Sequence, residues 1–179
     1  MHKDLERILF SEAQLKERVK ALGKQITEDY KDKSPVIIGI LKGSVIFMSD
    51  LLREIDLLCS IDFMVARSYG NEAVSSGKVD IVKDIDCDIS GRDVIIVEDI
   101  LDSARTLYAV KNYLLDKNPA SVKICVLLDK IVKKAADVTA DYKCFDIENE
   151  FVVGYGLDYA EKYRNLPYIG VLKREIYEK

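Results

Sequence analysis

The chain has no two cysteines close together. Cys59, Cys87, Cys125 and Cys144 are scattered over its 179 residues, so a structural zinc site, which needs ligands at short spacing, is not expected. Three of the four lie in apolar or strand-like contexts, where a free thiol acts as a small hydrophobe. Also missing is any long block of one charge: 27 basic residues face 31 acidic ones for a net charge of −4, and nucleic acid is not the default partner. No apolar run approaches the ~18 residues of a membrane span, and the opening "MHKDLERILF" is charged throughout. A soluble, cytoplasmic protein without membrane contact is the expectation. There is no internal repeat, and neither G-x-x-x-x-G-K-[ST] nor G-x-G-x-x-G occurs, which leaves an NTPase or a dinucleotide enzyme without support.

What is present is an ordinary globular composition, 49% apolar and 32% charged, at a length that suits one domain with a sizeable core. Ser11 followed by Gln14 reads as a capping box, and Leu15, Val19, Leu22 and Ile26 then recur at helical spacing to about Tyr30. "PVIIGIL" is apolar on both faces, as a buried parallel strand is, and "SVIFMSDLLREI" after it has helical pattern. "SIDFMVARSYG" alternates at Ile61, Phe63 and Val65 like a half-buried strand and gives way to "NEAVSSGK", which reads as a long mobile loop. "VIIVED" and "SVKICVLLD" are further buried strands, with a helix from about Ser103 to Leu115 between them. "FVVGYG" and "YIGVLK" are shorter strand candidates near the end.

Strands alternating with helices predict an α/β domain with a mainly parallel sheet. Ligands of such sheets bind beyond the carboxyl ends of the strands. Four groups of chemically capable residues follow strand runs: Lys42 with Gly43, Ser68 to Gly70, Glu98 to Thr106, and Asp129 with Lys130. In the third group Glu98 and Asp99 are strand neighbours expected to point to opposite sides. Ser103 and Thr106 bracket the entry to a helix whose free N–H groups favour an anion, and Arg105 adds charge. A ligand carrying both hydroxyls and phosphate, such as a ribose phosphate, accounts for acids beside an anion cradle. Exposed strand-end acids and a simple "DS" helix cap are the bland alternative.

"VIIVEDILDSARTL" resembles the phosphoribosyl pyrophosphate motif of type I phosphoribosyltransferases. "GILKGSVIF", "RSYG", "ICVLLDK" and "EFVVGYGLDYAEKYRNLPYIGVL" narrow the resemblance to the 6-oxopurine, hypoxanthine-guanine branch, over about Val36 to Leu172. It implies a single domain over residues 1–179 with the type I fold. The core would be about 11–150, a mainly parallel central sheet flanked by helices, and a small hood would come from the N-terminal segment and about 151–179. The implied reaction transfers a phosphoribosyl group from phosphoribosyl pyrophosphate to hypoxanthine or guanine, giving IMP or GMP and pyrophosphate. A magnesium cofactor and a homodimer or homotetramer are implied with it.

The same resemblance distributes roles. Glu98 and Asp99 would bind the ribose hydroxyls and be potential metal contacts, and Asp102, Ser103, Ala104, Arg105 and Thr106 would hold the 5'-phosphate. Asp102 would also accept the proton at purine N7. Lys42 and Gly43 would reach pyrophosphate from a loop with a cis peptide between Leu41 and Lys42. Lys130 would donate to the exocyclic oxygen of the base and disfavour an amino group there; Lys133 and Lys134 nearby read as surface charges. Phe151 would stack on the base and Val152 would offer backbone contacts. Asp158 would hold magnesium through water, Arg164 would contact pyrophosphate, and Ser68 with Tyr69 would tip a closing loop. Ala104 stands where the family usually has glycine, so a left-handed backbone or a close approach is expected there. Ile131 stands where many relatives have proline, with loop stiffness the expected effect. Two other readings are a phosphoribosyltransferase-fold regulator that binds RNA, against which intact Asp102, Lys130 and Arg164 and the acidic balance argue, and a receiver-like α/β phosphate-binding domain, which needs none of the purine-side residues.

Overall fold

A computed structural model describes residues 1–68 and 79–178. The chain runs β1 (Leu5–Phe10), α1 (Glu12–Asp29), β2 (Val36–Ile40), α2 (Val45–Glu54), β3 (Ser60–Ser68), β4 (Val79–Lys83), β5 (Asp93–Leu101), α3 (Arg105–Leu115), β6 (Ser121–Lys130), β7 (Tyr142–Ile147), β8 (Val152–Val153), β9 (Ile169–Leu172) and α4 (Arg174–Tyr177). A six-stranded sheet has the order β4-β3-β2-β5-β6-β7, parallel except for the antiparallel edge pair β3/β4. A three-stranded antiparallel sheet, β1-β9-β8, is built from both ends of the chain.

The continuous apolar runs have the expected cause. Along β2, β5 and β6 alternate residues feed two cores: Ile37, Ile95 and Cys125 face α1 and α2, whereas Ile38, Ile96 and Val126 face α3. Burial on both faces removes the need for polar alternation, and each such side chain contributes ~1.5–3 kcal/mol on transfer from water. α1 starts at the expected capping box, with the Gln14 amide donating to Ser11 Oγ at 3.4 Å and the Ser11 amide donating to Gln14 Oε1 at 2.9 Å. In β3 the face differs from the expectation. Met64 is fully buried while Ile61 is 53% exposed, because the strand packs into cores on both sides, Phe63 into one and Met64 into the other.

After β2 the chain moves to β3 on one side, and after β5 it moves to β6 on the other. The carboxyl ends of β2 and β5 therefore border the point where the winding reverses, the place where sheets of this kind leave a crevice. The loop after β2 carries Lys42 and Gly43, and the end of β5 carries Glu98 and Asp99.

Candidate active site

Val94 to Val97 are fully buried, and β5 then emerges into a half-buried stretch at Glu98, Asp99 and Ile100. The two acids do not simply diverge. Glu98 Oε1 accepts the Asp99 amide at 3.1 Å, and the two carboxyl groups also meet side chain to side chain. The Glu98 side chain is long enough to turn back onto the next amide of its own strand, so strand neighbours still meet. Burial first, and repulsion from Asp99 second, push the Glu98 carboxyl well above the usual range. Burial also raises Asp99, opposed by its bond with Glu98 and by the Arg164 charge. Both carboxyl groups are pushed up, Glu98 the more strongly, and the pair suits either a ribose diol or a cation.

Beyond Leu101 the backbone bends and enters α3 through Ala104, which has φ 68° and ψ −7°. This is the left-handed geometry expected where the family favours glycine. Ala104 is the N-cap and makes no side-chain cap hydrogen bond, so no cap acceptor competes for the first-turn amides. Glu98, Asp99, Asp102, Ser103, Ala104 and Thr106 all line one cavity of about 230 Å³, large enough for a phosphate. Arg105 opens α3 on its exposed side and is not among the lining residues.

Lys130, the last residue of β6, has a side chain only 12% exposed, and its Nζ lies 3.0 Å from Asp102 Oδ2. Lys133 is exposed, as expected, but Lys134 is not a surface charge. Its Nζ donates to the Leu101 carbonyl (2.9 Å), to Asp129 Oδ1 (2.8 Å) and to the Lys130 carbonyl (2.6 Å). Position within "DKIVKK" carries no sign of this, because the loop that turns the lysine inward has no periodicity.

On the other side of the crevice the Leu41–Lys42 peptide is cis. Gly43 packs against the Asp99 carboxylate with no room for a side chain, and Gly156, at φ 106°, packs against the Gly43 carbonyl in the same way. Lys42 Nζ donates to Glu161 Oε2 at 2.9 Å, and this partner holds the Glu161 carboxyl below its usual range. Arg164 donates to the Gly156 carbonyl at 2.8 Å and pairs with Asp158 Oδ1 at 2.8 Å, while Asp158 Oδ2 accepts the Glu161 amide at 2.8 Å. The Arg164 Nε is buried without a hydrogen-bond partner among the described residues. Glu161, which sequence reasoning passed over, thus touches both cations singled out for this corner, with Arg164 Nη2 at 3.5 Å.

Val152 lies in the small sheet, and Phe151 directly precedes it. Phe151 stacks on Tyr177 (centroids 4.7 Å, 21°) and meets Tyr159 edge-on (5.6 Å, 87°). Val152 is buried in β8. Among the described residues no hydrogen bond joins these two to Lys130 or Asp102, whose own side chains pair with each other. Ser68 ends β3, its backbone paired with Val79; Tyr69 and the loop that follows lie outside the described residues.

An acid pair fit for a diol, beside an anion-sized cradle at the reversal point of a parallel sheet, defines a protein that handles a phosphorylated sugar. The phosphoribosyl transferase domain model matches residues 9–160. A hypoxanthine-guanine phosphoribosyltransferase from Streptococcus thermophilus is 51% identical over the whole chain and 99% of its own length, and one from Streptococcus pyogenes is 50% identical over the same spans. The crystal structure of a hypoxanthine phosphoribosyltransferase from Staphylococcus aureus superposes with a TM-score of 0.96 at 48% identity, covering 100% of this chain and 97% of that one. The chain belongs to the phosphoribosyltransferase family, in its hypoxanthine-guanine branch.

Proposed function

We propose that the protein salvages purines by transferring the phosphoribosyl group of phosphoribosyl pyrophosphate to hypoxanthine or guanine, releasing IMP or GMP and pyrophosphate. The observation that carries this reading is the full-length likeness to hypoxanthine-guanine phosphoribosyltransferases. In the reaction, purine N9 forms a bond to ribose C1 as the bond from C1 to pyrophosphate breaks and its electron pair leaves with the pyrophosphate oxygen. Asp102 takes the proton from N7, and Lys130, 3.0 Å away from it, donates to the 6-oxygen. Ser103, Ala104, Arg105 and Thr106 hold the 5'-phosphate by backbone amides and charge. Glu98 and Asp99 hold the ribose hydroxyls. Lys42, Gly43 and Arg164 take the pyrophosphate, and Phe151 and Val152 take the base.

Magnesium fits this set of donors. Both oxygens of Asp158 are already engaged, by Arg164 and by the Glu161 amide, which suits a contact through water. Among the described residues no three His, Cys, Asp or Glu side chains are grouped to hold a metal by themselves, so substrate oxygens and water would complete its shell. When bound, the ion supplies neutralising charge to the leaving pyrophosphate. Among the described residues no helix is long and apolar enough to cross a membrane, and we read the enzyme as a cytoplasmic homodimer or homotetramer, with the small sheet as a hood over the base. Incubation with hypoxanthine, phosphoribosyl pyrophosphate and magnesium should yield IMP and pyrophosphate in equal amounts. Absence of product with both hypoxanthine and guanine would reject the reading.

A further inference from the structure

Lys134 stands in the loop between β6 and β7, and its side chain is 20% exposed. An ammonium has three N–H donors, and here each has an acceptor: the Leu101 carbonyl, Asp129 Oδ1 and the Lys130 carbonyl. Leu101 and Asp129 are register partners at the ends of adjacent parallel strands, where the ladder between β5 and β6 stops. Carbonyls at such an end need partners from elsewhere. The residue after Leu101 is Asp102, and the other carbonyl belongs to Lys130 itself. A second tie joins the same loop to the phosphate cradle, since the Ala135 amide donates to the Ser103 carbonyl at 2.9 Å.

We propose that Lys134 is the positioning residue that fixes the gap between Asp102 and Lys130, and with it the discrimination between 6-oxo and 6-amino purines. The inference rests on the roles assigned above to Asp102 and Lys130. Those two side chains meet the base at N7 and at position 6, so the distance between their backbones sets which edge they accept together. Lys130, little exposed and held from behind by Lys134, has no freedom to swing away from an amino group that would present donor to donor. A solvated lysine would keep its rotamer freedom, whereas this one has lost it to three acceptors on two strands.

Lys134→Met and Lys134→Gln in the full chain, assayed alongside Lys130→Met, test the clamp. For Lys134→Met the expected result is a KM for hypoxanthine raised about ten-fold. The ratio of kcat/KM for hypoxanthine over adenine should fall by about the same factor, with the KM for phosphoribosyl pyrophosphate within about two-fold of wild type. Should Lys134→Met lack a cooperative melting transition, the shorter but still hydrogen-bonding glutamine carries the measurement, with the same direction expected. Unchanged base KM and unchanged ratio in a folded variant overturn the proposal, as do equal losses for both substrates with the ratio intact. If Lys130→Met also leaves base KM and ratio unchanged, the assignment of Lys130 fails and the clamp with it. If Lys130→Met weakens the base and Lys134→Met does not, the clamp alone fails.

Discussion

The two sheets divide the work differently. In the six-stranded sheet the inner strands β2, β5 and β6 are buried on both faces, and the proposed phosphoribosyl site sits at their carboxyl ends: a left-handed Ala104, free helix amides and strand-end acids. In the three-stranded sheet the elements are short, both chain termini contribute, and the role proposed for it rests on side chains such as Phe151, held by the aromatic rings of Tyr159 and Tyr177. Gly156 joins the two regions, since it carries the Arg164-bound carbonyl and presses on Gly43 of the loop after β2. In the proposed reaction a phosphate would be held by geometry that a rigid sheet can supply, and a base edge by residues that a small attached unit can bring over it.

Removing the proposed proton acceptor should give the largest effect. Asp102→Asn keeps the size of the side chain and should lower kcat by about 10²-fold or more while leaving the melting temperature nearly unchanged, as measured by steady-state kinetics and thermal unfolding. Wild-type turnover in that variant would reduce Asp102 to a structural partner of Lys130.

Breaking the junction should come next. Gly156→Ala places a methyl against the Gly43 carbonyl at φ 106°, and should cost about 3 kcal/mol of stability together with most pyrophosphate binding. Thermal melting and titration with inorganic pyrophosphate read the two effects, and a variant that matches wild type in both would mean that the sheets are not coupled at this point.

Relieving the acid pair should help stability and harm binding. The folded-state pKa of Glu98 lies above its ordinary value, so its contribution to stability is present below about pH 4 and is lost as pH rises through the raised value. Glu98→Gln removes that loss. It should raise the neutral-pH melting temperature by about 2–4 °C, or about 1 kcal/mol, flatten the pH dependence, and raise the KM for phosphoribosyl pyrophosphate. Melting curves between acid and neutral pH that run parallel in both proteins would place the strain elsewhere.

The smallest change concerns Ala104. With φ at 68°, an alanine costs roughly 1 kcal/mol that glycine does not. Ala104→Gly should therefore lower the KM for phosphoribosyl pyrophosphate several-fold at saturating base, and an unchanged or raised KM would show that the methyl is harmless.

The same division governs what could be read from the sequence. β2, β5 and β6 were legible because burial on both faces writes a continuous apolar run, and the cradle was legible because acids, a Ser and a Thr follow such a run directly. β1, β4 and β7 were not anticipated. β1 and β4 are mostly exposed edge strands with little apolar pattern, and β7 closes the far edge of the sheet. Pairing of β1 with β9 joins residues near opposite ends of the chain, a contact no local window can register. Lys134 and Glu161 escaped for a related reason: each owes its role to partners brought in by loops, and their own neighbours in sequence are ordinary surface residues.

In the proposed reaction the crevice between these regions accepts a 6-oxopurine and joins it to a phosphorylated ribose. Hypoxanthine, guanine, xanthine and adenine offered together in limiting amounts, with phosphoribosyl pyrophosphate and magnesium, test it most directly when each monophosphate is quantified by chromatography. IMP or GMP should be the dominant product, with AMP lower by about 10²-fold or more because Lys130 would meet an amino group donor to donor. Comparable conversion of adenine would contradict it.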